Sequence, residues 1–182
     1  MGQAATKTAM TAADYLAWEA AQTERHEFVG GETFAMAGAE DRHVTVTMNI
    51  AFALRQHLSG SPCRTYMSDM RLSVAAAGSY FYPDVMVTCS SADQARNDGV
   101  SEPCLVVEVL SDSTAFFDRG DKFETYKKLA SLQTYVLVSA ERKTMEVFTR
   151  GGHWQLQTAV DGAVQLGVMG LVLNASEVFD RV

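Results

Sequence analysis

No run of this sequence stays apolar for the roughly twenty residues that a membrane-spanning helix needs. The opening MGQAATKTAM also lacks the apolar core of a secretory signal. Cysteine is scarce: Cys63, Cys89 and Cys104 are odd in number, with no CxxC spacing and no accompanying histidine pattern. A structural zinc site is therefore not expected, and the three read as reduced, buried thiols of a cytoplasmic protein. Glycine-rich loops of the P-loop or GxGxxG kind are missing, which leaves nucleotide binding without support. So is a GxSxG elbow. Positive charge is short as well: 15 Lys and Arg stand against 22 Asp and Glu, a net charge of −7. That balance excludes a generic nucleic-acid coat protein, whose phosphate contacts need clustered cations. It does not exclude a nuclease, because site carboxylates neutralised by bound metal add to the acidic total and a local basic patch can coexist with it.

What is present fits one soluble domain. Hydrophobic residues make up 47% of the 182 and charged residues 20%, as in an ordinary globular protein. With no repeat, low-complexity tract, heptad pattern or linker, residues 10–182 read as one domain and 1–9 as a frayed terminus. Thr11, with Asp14 three residues on, resembles a capping box opening a helix that runs to about Gln22. HEFV and ETFAMA flank Gly30-Gly31 as a hairpin would. Val44, Met48, Ala51, Leu54 and Leu58 recur at a helical period over 40–59, against the strand-like VTVT. RTYM, RLSV and the stretch Tyr80–Thr88 read as strands, and residues 90–103 as a solvated linker or lid. CLVVEVL is nearly continuous in apolar residues, the mark of a central strand covered on both faces. A helix with Phe123, Tyr126 and Leu129 on its apolar face, the strand TYVLVS, a hairpin about Gly151-Gly152 and a closing GLVLNASEVF complete the order. It is that of an α/β sandwich with a mixed sheet flanked by helices and extra hairpins at both ends.

Two of these apolar runs each carry one acid, Asp84 in YFYPDVMVTC and Glu108 in CLVVEVL. A charge inside such a run is costly unless paired, hydrogen-bonded or bound to a cation. Strand alternation puts Asp84 with Met86 and Thr88, and Glu108 with Val106 and Leu110. If the two strands are neighbours, both carboxylates project into one pocket, a hard-oxygen site suited to Mg²⁺ or Mn²⁺. The alternative is a pair of sheet-edge acids reaching solvent. Lys122 has two readings too: a solvated lysine among Arg119, Asp121, Glu124, Lys127 and Lys128, or a first-turn side chain pointing back towards the strand end that carries Glu108.

Pro83-Asp84, followed by Glu108 within LVVEVLS, resembles the PD-(D/E)XK nuclease signature, with Leu110 in the place of its usual lysine. The continuation SDSTAFFDRGDKFETYKKLASLQTYVLVS makes the likeness specific. It resembles the Uma-two family, a large bacterial endonuclease family catalogued as a domain of unknown function. The similarity runs from about Tyr15 to the C-terminus, through HEFVGGETFAMAGA, RH, SDMRL, YPDVMV and EVLSDST. What it implies is a restriction-endonuclease-like core, with Asp84 and Glu108 holding Mg²⁺ or Mn²⁺ together with a backbone carbonyl such as that of Val109. In that family a lysine on the helix after the third core strand replaces the missing one, and Lys122 matches it. His43, in the family's RH position, would approach the acids or a phosphate. Glu27, in its YE-like element, would be a further carboxylate of the site. Asp69, in SDM, is either a turn residue or an acid behind the site. The implied activity is metal-dependent hydrolysis of DNA; since duplex cleavage needs two scissions, a homodimer is expected, with the apolar C-terminal strands offering its edge surface. The other reading is a non-catalytic nucleic-acid- or protein-binding module that keeps the nuclease fold, favoured by Leu110.

Overall fold

Thr11 caps the first helix, α1 (Ala12–Glu19): its hydroxyl accepts from the Asp14 N–H while the Asp14 carboxylate accepts from the Thr11 N–H. In a computed structural model, residues 10–36, 38–167 and 170–182 are described; the expected fraying of 1–9 lies outside them. Strands β1 (His26–Val29) and β2 (Glu32–Ala35) form the hairpin, with Gly30 and Gly31 at φ of 61° and 89°. Both angles lie where a side chain would be strained. Helix α2 (Asp41–His57) follows, then β3 (Arg64–Met67), β4 (Leu72–Val74), β5 (Ser79–Phe81) and β6 (Val85–Thr88). A short helix α3 (Ser91–Gln94) precedes β7 (Pro103–Leu110), and α4 (Ala115–Arg119) and α5 (Asp121–Tyr126) follow it. The chain ends with β8 (Thr134–Ser139), β9 (Thr144–Thr149), β10 (Gln155–Val160), β11 (Ala163–Leu166), β12 (Leu171–Asn174) and α6 (Ala175–Val178).

The strands make a six-stranded sheet in the order β10-β9-β8-β7-β6-β3, a four-stranded sheet β2-β1-β5-β4 and the pair β11-β12. Only β7 and β8 run parallel in the large sheet, which is therefore mixed. Period-two alternation sends its side chains to two cores. Val85, Val87, Leu105, Val107, Val136 and Val138 face α2, which buries Val46, Ile50, Ala51 and Leu54 against them. Met86, Val106, Tyr135 and Leu137 face the other way, onto α5 and the small sheet through Phe123, Tyr126, Leu72 and Phe81. Covered on both faces, β7 has no use for polar residues along most of its length. Glu108 is the exception.

Three expectations need correction. Tyr80–Thr88 is not one strand: β5 belongs to the small sheet and β6 to the large one. Pro83, with no N–H to give a ladder and a fixed φ, sits at the break. Residues 90–103 are not a solvated linker either. Asp93, 1% exposed, accepts from the backbone N–H groups of Ser101 and Glu102 (2.9 Å each), the Thr88 hydroxyl (2.8 Å) and Arg96 (2.6 Å). Val100 is buried beside Leu72, exchanging backbone hydrogen bonds of 2.8 Å with Arg71 and Ser73. Finally, Cys63 and Cys89 are not reduced, buried thiols but a disulfide, their Cα atoms 4.0 Å apart, with Cys89 exposed. They flank Arg64↔Thr88, the last pair of the antiparallel β3–β6 ladder, and an adjacent cross-strand pair falls within disulfide reach. Cys104 stays free. Among the described residues no helix is long and apolar enough to cross a membrane.

Candidate active site

The β6–β7 register pairs Val85 with Val107 and Met86 with Val106. One step further along the same ladder are Asp84 and Glu108, so the two acid-bearing runs are neighbours as the neighbour rule anticipates. Asp84 stands at the mouth of β6. Its Oδ2 accepts from the Val109 N–H at 2.7 Å and lies 3.3 Å from His43 Nε2. His43 comes from the first turn of α2. Burial alone would lower the affinity of its ring for a proton, but the hydrogen bond and charge of Asp84, aided by the Val109 backbone, outweigh that and raise its pKa.

Glu108 lies deeper, 4% exposed. Its Oε1 accepts from Tyr126 Oη at 2.8 Å and lies 3.0 Å from Lys122 Nζ. Lys122 is not a solvated surface lysine. It is 5% exposed, enclosed by Glu108, by Glu27 of β1 at 2.9 Å and by Asp118 of α4 at 3.3 Å, with the Phe81 ring 5.7 Å from its nitrogen. Four elements from both sheets and the α4–α5 turn meet on this one ammonium. Burial disfavours its charge, yet Glu108 and Glu27 more than compensate and hold it protonated well above the usual lysine range. For Glu108 burial dominates: it pushes the carboxyl well above the usual range, Lys122 opposes this, and Asp118, Asp84 and Glu27 add to it. Tyr126 is likewise held in its neutral form, by burial first and then by the charge of Glu108.

The structure thus brings Asp84, Glu108, Lys122, Glu27, His43 and Val109 together. Sequence reading missed Asp118 and Tyr126. Both stand four residues from Lys122, Tyr126 one turn on within α5 and Asp118 near the end of α4, and that spacing was the signal. Asp69 is 85% exposed and pairs at 3.7 Å with Arg25, which fits the turn reading. His26 serves structure, its ring nitrogen Nδ1 at 3.1 Å from the buried carboxylate of Glu19.

A divalent cation fits this donor set. Among the described residues no three His, Cys, Asp or Glu side chains form a ready-made metal cluster; Glu27, Glu108 and Asp118 each lie within 3.3 Å of the ammonium of Lys122. The donors that Asp84 and Glu108 receive all fall on one oxygen of each, Oδ2 and Oε1. Four carboxyl groups, Glu108 and Asp118 among them buried, share one lysine and one histidine, a surplus of oxygen donors that a hard cation would suit.

Known proteins resemble the chain over most of its length. The profile of the Uma2 family, described as "Putative restriction endonuclease", matches residues 12–176. Two uncharacterized proteins of Synechocystis sp. are similar to the chain. One is 36% identical over 143 residues, covering 78% of this chain and 75% of that protein; the other is 38% identical over 153 residues, covering 83% and 86%. Among solved structures, that of a "putative nuclease belonging to DUF820" from Anabaena variabilis superposes with a TM-score of 0.76, covering 93% of this chain and 97% of that one at 14% identity. The fold is thus restriction-endonuclease-like. Matched over nearly its whole described length, and by relatives more than a third identical, the chain belongs to the Uma2 family.

Proposed function

We propose that this protein is a divalent-metal-dependent nuclease that hydrolyses phosphodiester bonds of DNA, with the site at Asp84, Glu108 and Lys122. The observation that carries the reading is the ammonium of Lys122, delivered by α5 to within 3.0 Å of Glu108, where the missing signature lysine would have had to act. Asp84 and Glu108, with the Val109 carbonyl, would hold Mg²⁺ or Mn²⁺. When bound, the ion supplies Lewis-acid polarisation of the scissile phosphate and a more acidic water. Val109, by donating to Asp84, fixes that carboxylate on its strand. Lys122, kept charged by its carboxylate neighbours, orients the attacking water or stabilises negative charge developing on the phosphate oxygens. Glu27 and Asp118 hold the lysine in place. His43, beside Asp84 at the entrance, would meet a non-bridging phosphate oxygen.

Supercoiled plasmid incubated with Mn²⁺ or Mg²⁺ tests the reading. Wild type should nick and linearise it. Asp84→Asn removes a formal charge at nearly constant shape, so it should weaken metal binding and abolish cleavage. Lys122→Ala should keep metal affinity and lose about a hundredfold or more in turnover. Thermal melting with and without Mn²⁺ reads occupancy independently of chemistry. A wild type that is stabilised by Mn²⁺ yet inert on DNA would hand the site to the binding-module reading.

A further inference from the structure

Helix α2 has a second face that nothing among the described residues covers. Val44, Met48 and Phe52 are 50%, 55% and 66% exposed, while Val46, Ile50, Ala51 and Leu54 are buried against the sheet. A surface helix normally presents polar residues outward, and three large apolar side chains at i, i+4 and i+8 make a continuous stripe. The stripe is flanked by exposed charges of opposite sign, Asp41 at one end and Arg55 at the other. With 3.6 residues per turn, all five residues fall within about 80° of arc.

Their order is a palindrome. When a second α2 is turned end for end about Met48, Val44 meets Phe52, Met48 meets Met48, and Asp41 meets Arg55 in both directions. This is the self-complementarity that a two-fold axis demands, each residue contacting the one that contacts it in return. Among the described residues, neither Asp41 nor Arg55 has an ion-pair partner within the chain. Each suits its own helix dipole, but that accounts for neither the apolar stripe nor its symmetric spacing. We infer that α2 is the contact face of a homodimer, packed antiparallel on α2 of a second copy with the two-fold axis at Met48. The face differs from the C-terminal strands that the sequence suggests. His43 lies on the opposite, sheet-facing side of α2, beside Asp84, and the pairing would set the two His43 positions about 15 Å apart along the helix axis.

Sedimentation velocity over a concentration series tests this without reference to activity. Wild type should shift from monomer to dimer by high micromolar concentration. Met48→Glu sets two like charges against each other at the axis and should raise the dimer dissociation constant about tenfold or more. Because position 48 is exposed, circular dichroism, and melting at concentrations where both proteins are monomeric, should not change. Asp41→Arg should weaken the dimer roughly fivefold, and adding Arg55→Asp should restore it. That rescue is specific to the antiparallel register. A wild type that stays monomeric, a Met48→Glu protein that dimerises like wild type, or a double charge swap that fails to rescue would each overturn the inference.

Discussion

Lys122 is a cation kept in place by acids, and each depends on the other. Truncating it leaves buried Glu108 and Asp118, and Glu27 beside them, with no positive partner, and breaking a buried pair from one side costs about 3–5 kcal/mol. Lys122→Ala should therefore unfold at clearly lower urea concentration than wild type when metal is chelated, and Glu108→Gln in the same protein should recover part of the loss. Asp93 makes a similar case at a purely structural site. Burial would raise its pKa, but donors from Ser101, Thr88, Arg96 and Glu102 overcome this and hold it below its ordinary value near 3.8. Its folded-state pKa is depressed, so its contribution is fully present above that ordinary value and is lost as pH falls through the lower, folded one. Asp93→Ala should cost about 3 kcal/mol at neutral pH, and its stability should fall less steeply than that of wild type under acid, as followed by melting from pH 5 downward. In the sequence, Asp84 and Glu108 were legible because each interrupts an apolar run. Asp93 was not: DQARND looks like any solvated loop, and only the backbone N–H groups of Ser101 and Glu102, folded back onto it, make it a core residue.

Elements were legible wherever local signals agreed with one another. The capping box at Thr11 marks the start of α1 to the residue, and Thr11→Ala should lower stability by about 1 kcal/mol, read from urea unfolding. The 3.6-residue period over 40–59 outweighed the β-branched VTVT, since Val46 and Thr47 both turn out to be buried on the inner side of α2. Local signals failed where the decision belonged to tertiary pairing. Tyr80–Thr88 is β-type throughout, and nothing local says that its halves join different sheets. Yet that break puts Asp84 at the open end of β6 rather than inside a ladder. The same limit hid the cysteine pair, because 26 residues separate Cys63 from Cys89 and only the β3–β6 register joins them.

At the scale of the molecule, the disulfide closes a loop that begins at the edge strand and returns through β6. A cross-link over that separation contributes about 3–4 kcal/mol through the unfolded chain. Dithiothreitol should therefore lower the melting temperature, and the Cys63→Ser/Cys89→Ser protein should melt like the reduced wild type and ignore the reagent. It also removes the argument that placed the protein in a reducing compartment on its thiols. The large mixed sheet with α2 on one face and α5 on the other was readable as an α/β sandwich; its division into three sheets was not, since that depends on which edges meet. The carboxylates gathered on Lys122 have one more consequence. A cluster of buried acids ordinarily has to await its ion, and the chain stays loose until the ion arrives. Here the chain brings a tethered counterion of its own, so assembly need not wait on what the surroundings hold. On the proposed reading, an arriving cation would meet carboxylates already neutralised, and Lys122 would keep them in place until then.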